Sequence, residues 1–161
     1  QSYLPLSALV LRVFYRQLLI LLHNLLIYPL VMLFLGIPVN VNLFWLLPAF
    51  LLVAANILWL GLIIAIFCTR FRDMLPVIQS VVTLLFFVTP IIWQLQQLPP
   101  TRLHIAQLNP FTSLITLLRD PVLGRRPDAL YWQVAAVFAV IGSLFAVWVF
   151  NLTRRKITYW L

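Results

Sequence analysis

Four long apolar stretches dominate this sequence and limit what it can fold into. They run from about Val13 to Leu35, from Phe44 to Phe67, from Leu75 to Trp93 and from Trp132 to Leu152. A helix needs about 20 apolar residues to cross the roughly 30 Å hydrocarbon layer of a bilayer. We therefore predict an all-α polytopic transmembrane helix bundle in which these four stretches are the spans, and which forms a single domain over residues 1–161.

The composition excludes an ordinary soluble domain. Hydrophobic residues make up 64% of the chain and charged residues 9%, with a mean hydropathy of +1.06, whereas soluble domains carry about 25% charged residues. The net charge of +8 could suggest a nucleic-acid partner. The basic residues, however, form short clusters between apolar stretches, which is typical of membrane topology signals. We therefore predict membrane lipids as partners and no nucleic acid.

Basic residues near the ends of the spans predict the orientation of the chain. Seven of them fall on one side: Arg12, Arg16, Arg70, Arg72, Arg154, Arg155 and Lys156. Four others share one long loop on the opposite side, where Asp120 and Asp128 dilute them: Arg102, Arg119, Arg125 and Arg126. We expect a multi-pass protein of the plasma membrane with both ends of this chain in the cytoplasm. Because the chain begins at Gln1 without a signal-peptide pattern, we expect it to be the C-terminal part of a longer protein.

The segment 98–124 is too rich in proline and arginine to be a fifth span. Two short helices fit it better, from about Thr101 to Leu108 and from about Phe111 to Leu118, lying on or dipping into the outer interface. Asn109 is a suitable N-cap and Pro110 a suitable first residue for the second helix.

Several kinds of chemistry lack the residues they need. The chain has no glutamate, and Asp73, Asp120 and Asp128 all lie outside the spans. A phosphate-binding loop is absent, because Lys156 is the only lysine and lacks the preceding glycines. We predict no catalytic residue, no metal site and no cofactor bound by this chain, so active transport would need energy from a partner.

Polar and small residues within the spans predict helix packing. We interpret Asn56 and Gln79 as interhelical hydrogen-bonding residues, whereas for His23 a functional and a structural role are equally favoured. Two stripes of small residues predict close approach of helices: Ala135, Ala139, Gly142 and Ala146, and Ala54, Gly61 and Ala65.

Two further groups have a plain and a functional interpretation. Phe86, Phe87 and Trp93 are typical of lipid contact and interfacial anchoring, but aromatic rings could also line a path for a sugar-containing substrate. The arginines of the turn 69–73 can be explained by topology alone, or the turn could dock a cytoplasmic partner.

Three stretches, in order, resemble the membrane subunit of bacterial polysaccharide ABC exporters, the O-antigen, capsule and teichoic-acid permeases. The first is Arg70-Phe71-Arg72-Asp73 followed by a span ending in Thr89-Pro90-Ile91-Ile92-Trp93. The second is Leu108-Asn109-Pro110-Phe111, continuing to Arg119-Asp120 and Leu123-Gly124. The third is the final span with its basic tail. The resemblance covers essentially the whole chain and places it in the C-terminal two-thirds of such a subunit.

The resemblance implies an ATP-driven exporter of a lipid-linked polysaccharide. Such a subunit has two further spans upstream, forms a homodimer and pairs with two separate ATP-binding subunits, which would carry the ATP and Mg²⁺. It implies that ATPase coupling involves Gln1, Tyr3, Pro5, Arg70, Arg72 and Asp73. It implies an outer gate containing Asn109, Pro110, Phe111, Arg119 and Asp120. Phe86, Phe87 and Trp93 would line the channel.

Other functions remain open at this stage. Arg125, Arg126 and Asp128 match no motif of the family, and could contact the head group of the substrate or only water. A membrane-embedded enzyme acting on lipid-linked sugars would have to use Asp73, His104, Asp120 or Asp128. A non-catalytic subunit of a membrane complex is the third alternative.

Overall fold

The computed structural model describes residues 6–35, 40–71 and 73–157, and these are helical apart from short connections. Within these ranges, seven α-helices follow one another: α1 (Leu6–Leu25), α2 (Ile27–Leu35), α3 (Leu46–Arg70), α4 (Met74–Val88), α5 (Pro100–Leu108), α6 (Pro110–Val122) and α7 (Ala129–Ile157). Short 3₁₀ turns, Val41–Trp45 and Leu95–Gln97, precede α3 and α5. The all-α prediction is confirmed for this part of the chain.

The pair α3 and α7 forms the centre of the bundle. The predicted stripe on α7 is its packing face, because Ala135, Ala139, Gly142 and Ala146 are all buried. Small side chains let two helix backbones approach closely where lipid offers no hydrophobic driving force. The prediction that these residues serve packing is confirmed.

Two apolar clusters define the ends of the bundle. At one end, α3, α6 and α7 bury Ala49, Leu114, Leu117 and Ala135 together. We call this the α6 end. At the other, Ile66 packs against Val149 and Phe150 of α7, close to where α3 finishes at Arg70. We call this the Arg70 end.

The first predicted span is a helix with one interruption. α1 ends at Leu25 and α2 starts at Ile27, and the Leu26 amide donates to the carbonyl of His23 at 3.2 Å. Pro29 explains the break, because proline has no N–H to bond the carbonyl of residue 25 and its ring crowds that carbonyl. The side chain of His23 is exposed.

In the part of the chain that the structure describes, three helical stretches are long and apolar enough to cross a membrane: Ala8–Val31, Val41–Arg70 and Ala129–Arg154. They contain most of the spans predicted at 13–35, 44–67 and 132–152. The helix at the remaining predicted span, 75–93, is α4, which ends at Val88 and measures about 22 Å. Pro90 accounts for this end, because it disfavours helical geometry at Thr89, whose ψ is 140°. Four spans therefore remain a prediction.

Candidate functional sites at the two ends of the bundle

The junction between α5 and α6 has the predicted capping geometry. Asn109 is extended (φ −67°, ψ 120°), and its side-chain oxygen accepts a hydrogen bond from the Phe111 amide at 3.0 Å. Pro110 takes the first helical position, where a missing N–H costs nothing. The structure thus confirms two short helices, with α6 extending four residues beyond the predicted end at Leu118.

One face of α6 is buried against α3 and α7 rather than lying on a surface. The buried residues are Thr112, Ser113, Leu114, Thr116, Leu117 and Pro121. The Phe111 ring meets Phe138 of α7 edge to face, with centroids 5.8 Å apart. Within the described residues, the Thr112 hydroxyl is buried without a hydrogen-bond partner. α6 is therefore a packed part of the bundle.

The C-terminal end of α6 is hydrogen-bonded to α2 and to the connection between α2 and α3. The Tyr28 hydroxyl donates to the carbonyl of Val122. Asn40 and Asn42 both donate side-chain N–H groups to the carbonyl of Gly124, at 3.2 and 2.7 Å. Gly124 has φ +74°, a left-handed conformation that glycine adopts without steric cost just beyond a helix. These bonds fix the position of the C-terminal end of α6.

Two charged residues near the end of α6 have distinct environments. Arg119 donates to the carbonyl of Ile91 at 2.9 Å, which joins α6 to the turn after α4. For Asp120, burial raises the pKa of the carboxyl above its ordinary value, and repulsion from Asp128 acts in the same direction. The nearby guanidinium groups of Arg125 and Arg119 oppose this shift. The C-terminal end of α6 therefore carries a cluster of positively and negatively charged side chains.

A buried polar group joins α3 to α7. The Asn56 amide nitrogen donates to the carbonyl of Leu52 at 2.9 Å and to that of Ala135 at 3.2 Å. Its oxygen accepts from the indole N–H of Trp59 at 3.2 Å. The prediction of an interhelical hydrogen bond is confirmed for Asn56. Gln79 has an exposed side chain, and its proposed interhelical bond stays a prediction.

At the Arg70 end, a tight turn joins α3 to α4. Arg70 ends α3, and its guanidinium lies 5.3 Å from the centroid of the Phe71 ring. Asp73 precedes α4, is exposed, and makes no side-chain capping bond. Both charged side chains are accessible to a partner. The other predicted coupling residues, Gln1, Tyr3, Pro5 and Arg72, lie outside the described residues.

Comparison with known proteins identifies the family. A family model described as ABC-2 type transporter matches residues 2–123, which is about three quarters of the 161-residue chain. The chain belongs to the ABC-2 type transporter family. It is therefore a multi-pass membrane protein and a permease subunit of an ABC transporter. Searches of curated proteins and of solved structures give no match.

The match of this ABC-2 type permease includes both candidate sites. It begins in the residues before α1, contains the turn at Arg70, and ends at Leu123, directly after α6. The resemblance noted in the sequence is confirmed at the level of this family. The roles of the predicted coupling and gate residues stay predictions, as does the polysaccharide substrate.

The predicted channel-lining residues of the permease lie on and after α4. Phe86 and Phe87 are 41% and 62% exposed, and their rings meet edge to face at 5.7 Å. The indole N–H of Trp93 donates to the carbonyl of Phe87 at 3.0 Å, which folds the turn 89–93 back onto the helix end. The three residues therefore form one local group. Their exposure is compatible with lipid contact as well as with a channel wall.

The structure also groups residues of the permease that the sequence did not connect. Trp45, at the start of α3, lies beside Trp132 of α7 with ring centroids 5.9 Å apart. The guanidinium of Arg126 lies 5.0 Å from the centroid of a Trp45 ring. The pairing of the two tryptophans depends on how α3 packs against α7, which no local pattern reveals.

Proposed function

We propose that this permease subunit exports a lipid-linked polysaccharide across the bacterial inner membrane. ATP and Mg²⁺ bind two copies of a separate cytoplasmic subunit, and the permease acts as a homodimer. Both ends of this chain face the cytoplasm. The exported glycan is of the O-antigen, capsule or teichoic-acid kind.

The observation that carries this proposal is the opposite placement of the two candidate sites within one family domain. The accessible turn at Arg70 and Asp73 lies at one end of α3, and the packed helix α6 lies against the other. A permease driven from the cytoplasm needs a surface that receives force and a distant element that controls exit. α3 provides a rigid connection between them, 25 residues or about 38 Å long.

The exposed faces support assembly with further chains. Among the described residues of α4, none is buried, and large apolar side chains such as Leu84 and Phe87 are more than 60% exposed. Lipid can cover such a face, and so can the α4 of a second copy. A dimer in which the two α4 faces enclose the path would bring Phe86, Phe87 and Trp93 of each subunit to the channel. Aromatic rings there would stack on the C–H faces of sugars.

The alternative of a membrane enzyme has little geometric support. Asp73 lies at the Arg70 end, whereas Asp120 and Asp128 belong to the α6 end, so Asp73 cannot act together with either of the other two carboxylates. His104 is exposed on α5. Within the described residues, no group of three potential metal ligands occurs.

The proposal is tested by coupling in the assembled transporter. The full subunit is reconstituted with its ATP-binding partner, and export of labelled glycan is compared with membrane insertion and with ATP hydrolysis. We expect Asp73→Ala and Arg72→Ala to reduce export at least tenfold while insertion stays unchanged. Asp73 makes no capping bond, so its loss should not destabilise α4.

Arg154→Ala is the matched control, because Arg154 is an exposed arginine near the Arg70 end but far along the chain from the turn. It should export normally. Normal export by both turn variants would refute the docking role. Glycan turnover by the permease without ATP or a partner would refute export and favour the enzyme.

A further inference from the structure

A small cleft with both polar and apolar lining residues lies at the α6 end of the bundle, outside the proposed gate. It has a volume of about 520 Å³ and is lined by Trp45 from the start of α3, by Arg126 and Asp128 from the α6–α7 connection, and by Trp132 from the first turn of α7. Asp120 and Arg125 lie nearby but do not line it. The cleft therefore combines two indoles, one cation and one anion.

Arg126 is positioned to bind an anion. Its guanidinium lies over the Trp45 ring, with the central carbon 5.0 Å from a ring centroid. The five N–H donors lie at its edge, and within the described residues none has a hydrogen-bond acceptor. Because the indole restricts the side chain, less conformational entropy is lost when the donors bind. A guanidinium with free donors matches the oxygens of a phosphate group.

Asp128 gives the cleft a second charge of opposite sign. It lines the same space and is exposed, yet in the part of the chain that the structure describes it forms no ion pair with Arg126. An anionic ligand alone would be repelled by this carboxylate. A ligand with both a phosphate and an ammonium group would satisfy both residues, and its cation would also be attracted to the indole of Trp132.

The depth of the cleft favours a membrane lipid as the source of such a ligand. Trp45 and Trp132 lie near the starts of the membrane-spanning stretches Val41–Arg70 and Ala129–Arg154. Tryptophan at the end of a span marks the level of the lipid headgroups. A cleft at this level meets phospholipid headgroups at very high local concentration.

We propose that this cleft binds the zwitterionic headgroup of a phospholipid such as phosphatidylethanolamine. The phosphate accepts hydrogen bonds from Arg126, and the ammonium lies between Asp128 and Trp132. The bound lipid bridges the start of α3 and the start of α7. This site depends only on the protein spanning a membrane, and not on which substrate it exports.

Lipid titration followed by native mass spectrometry tests the site. The full chain, purified in detergent and delipidated, is titrated with phosphatidylethanolamine or with anionic phosphatidylglycerol. Wild type should prefer phosphatidylethanolamine. Arg126→Gln should weaken both lipids about tenfold, because both lose the charged hydrogen bonds to phosphate. Asp128→Asn should weaken phosphatidylethanolamine but strengthen phosphatidylglycerol, which reverses the preference.

Arg125→Gln is the matched control, because it removes the same charge from the adjacent position outside the cleft. It should change either affinity by no more than about twofold. An equal loss of lipid affinity in both arginine variants would show only non-specific electrostatic attraction and would overturn the proposal. So would an unchanged lipid preference in Asp128→Asn.

Soluble ligands separate the remaining possibilities. Glycerophosphoethanolamine should compete with the lipid at millimolar concentration, because it carries the same headgroup without the membrane anchor. Displacement of the lipid by a neutral oligosaccharide, but not by glycerophosphoethanolamine, would overturn the proposal and make the cleft a sugar site.

Discussion

The contact between Trp59 and Gly142 gives the sharpest test of how α3 packs against α7. The Trp59 indole lies directly over Gly142, so that a Cβ built at this glycine would overlap the ring. The indole is held in place on both sides. Its N–H donates to Asn56 at 3.2 Å, and its ring meets Phe138 edge to face with centroids 5.0 Å apart. Gly142→Ala therefore forces either the helices or the indole to move.

Both responses cost free energy of unfolding. Separating the helices to fit an extra methyl costs about 1–3 kcal/mol. Rotating the indole loses its edge contact with Phe138, about 0.5–1.5 kcal/mol, and its bond to Asn56, about 0.6 kcal/mol. Either route gives about 2 kcal/mol. Gly61→Ala is the matched control, because a Cβ at Gly61 would meet Val10 at an ordinary 3.5 Å.

The free energy of unfolding can be measured by titrating SDS into detergent micelles and following the helix signal by circular dichroism. We expect Gly142→Ala to be less stable than Gly61→Ala by about 2 kcal/mol, since both variants gain the same helix propensity. In a Trp59→Leu background, most of this difference should disappear. Equal stability of the two glycine variants would refute the described packing of Trp59.

Three further predictions concern the α6 end. Gly124→Ala should lower the free energy of unfolding by about 1–2 kcal/mol, because φ at this position is +74° and the new Cβ would lie 3.0 Å from the Asn40 amide nitrogen. Asparagine tolerates this conformation better than alanine, so Gly124→Asn should recover part of the loss in the same SDS titration. Thr112→Val should leave the melting temperature unchanged or raise it, because the buried hydroxyl has no partner to lose, and a clear drop would reveal a hydrogen bond. Burial raises the pKa of Asp120, so the folded protein binds this proton more tightly than the unfolded chain does. Stability relative to Asp120→Asn should therefore fall as pH rises above about 4, and parallel melting curves from pH 4 to 7 would contradict the shift.

The sequence predicted features that depend on local chemistry. The helix break and cap at Asn109 and Pro110 follow from the properties of these two residues, and the structure has both. The buried stripe on α7 follows from helical spacing of small residues. The C-terminal end of α4 was harder to predict from the sequence, because the apolar stretch continues to Trp93 although Pro90 already stops the helix at Val88.

Features that depend on contacts between distant segments were not predicted. Tyr28, Asn40 and Asn42 bind carbonyls more than 80 residues away, and an asparagine in a loop carries no sign of its acceptor. The pairing of Trp45 with Trp132 and Arg126 depends likewise on the rotation of α3 against α7. In a helix, every position of an apolar run can face either lipid or protein, so composition alone does not select the contact face.

In the proposed outer gate, the bonds from Tyr28, Asn40 and Asn42 would limit movement of the C-terminal end of α6. Because α6 is bonded at its C-terminal end and packed along one face, it would stay fixed relative to α3 and α7. The hinge would then fall at the extended residue Asn109, with α5 as the lever. α4 buries none of its described side chains, but the turn after it is bonded to α6 through Arg119 and Ile91, which would limit movement of α4 at that end. Opening would then be a rotation of α5 about Asn109 relative to a stationary α6, rather than withdrawal of α6 from the bundle.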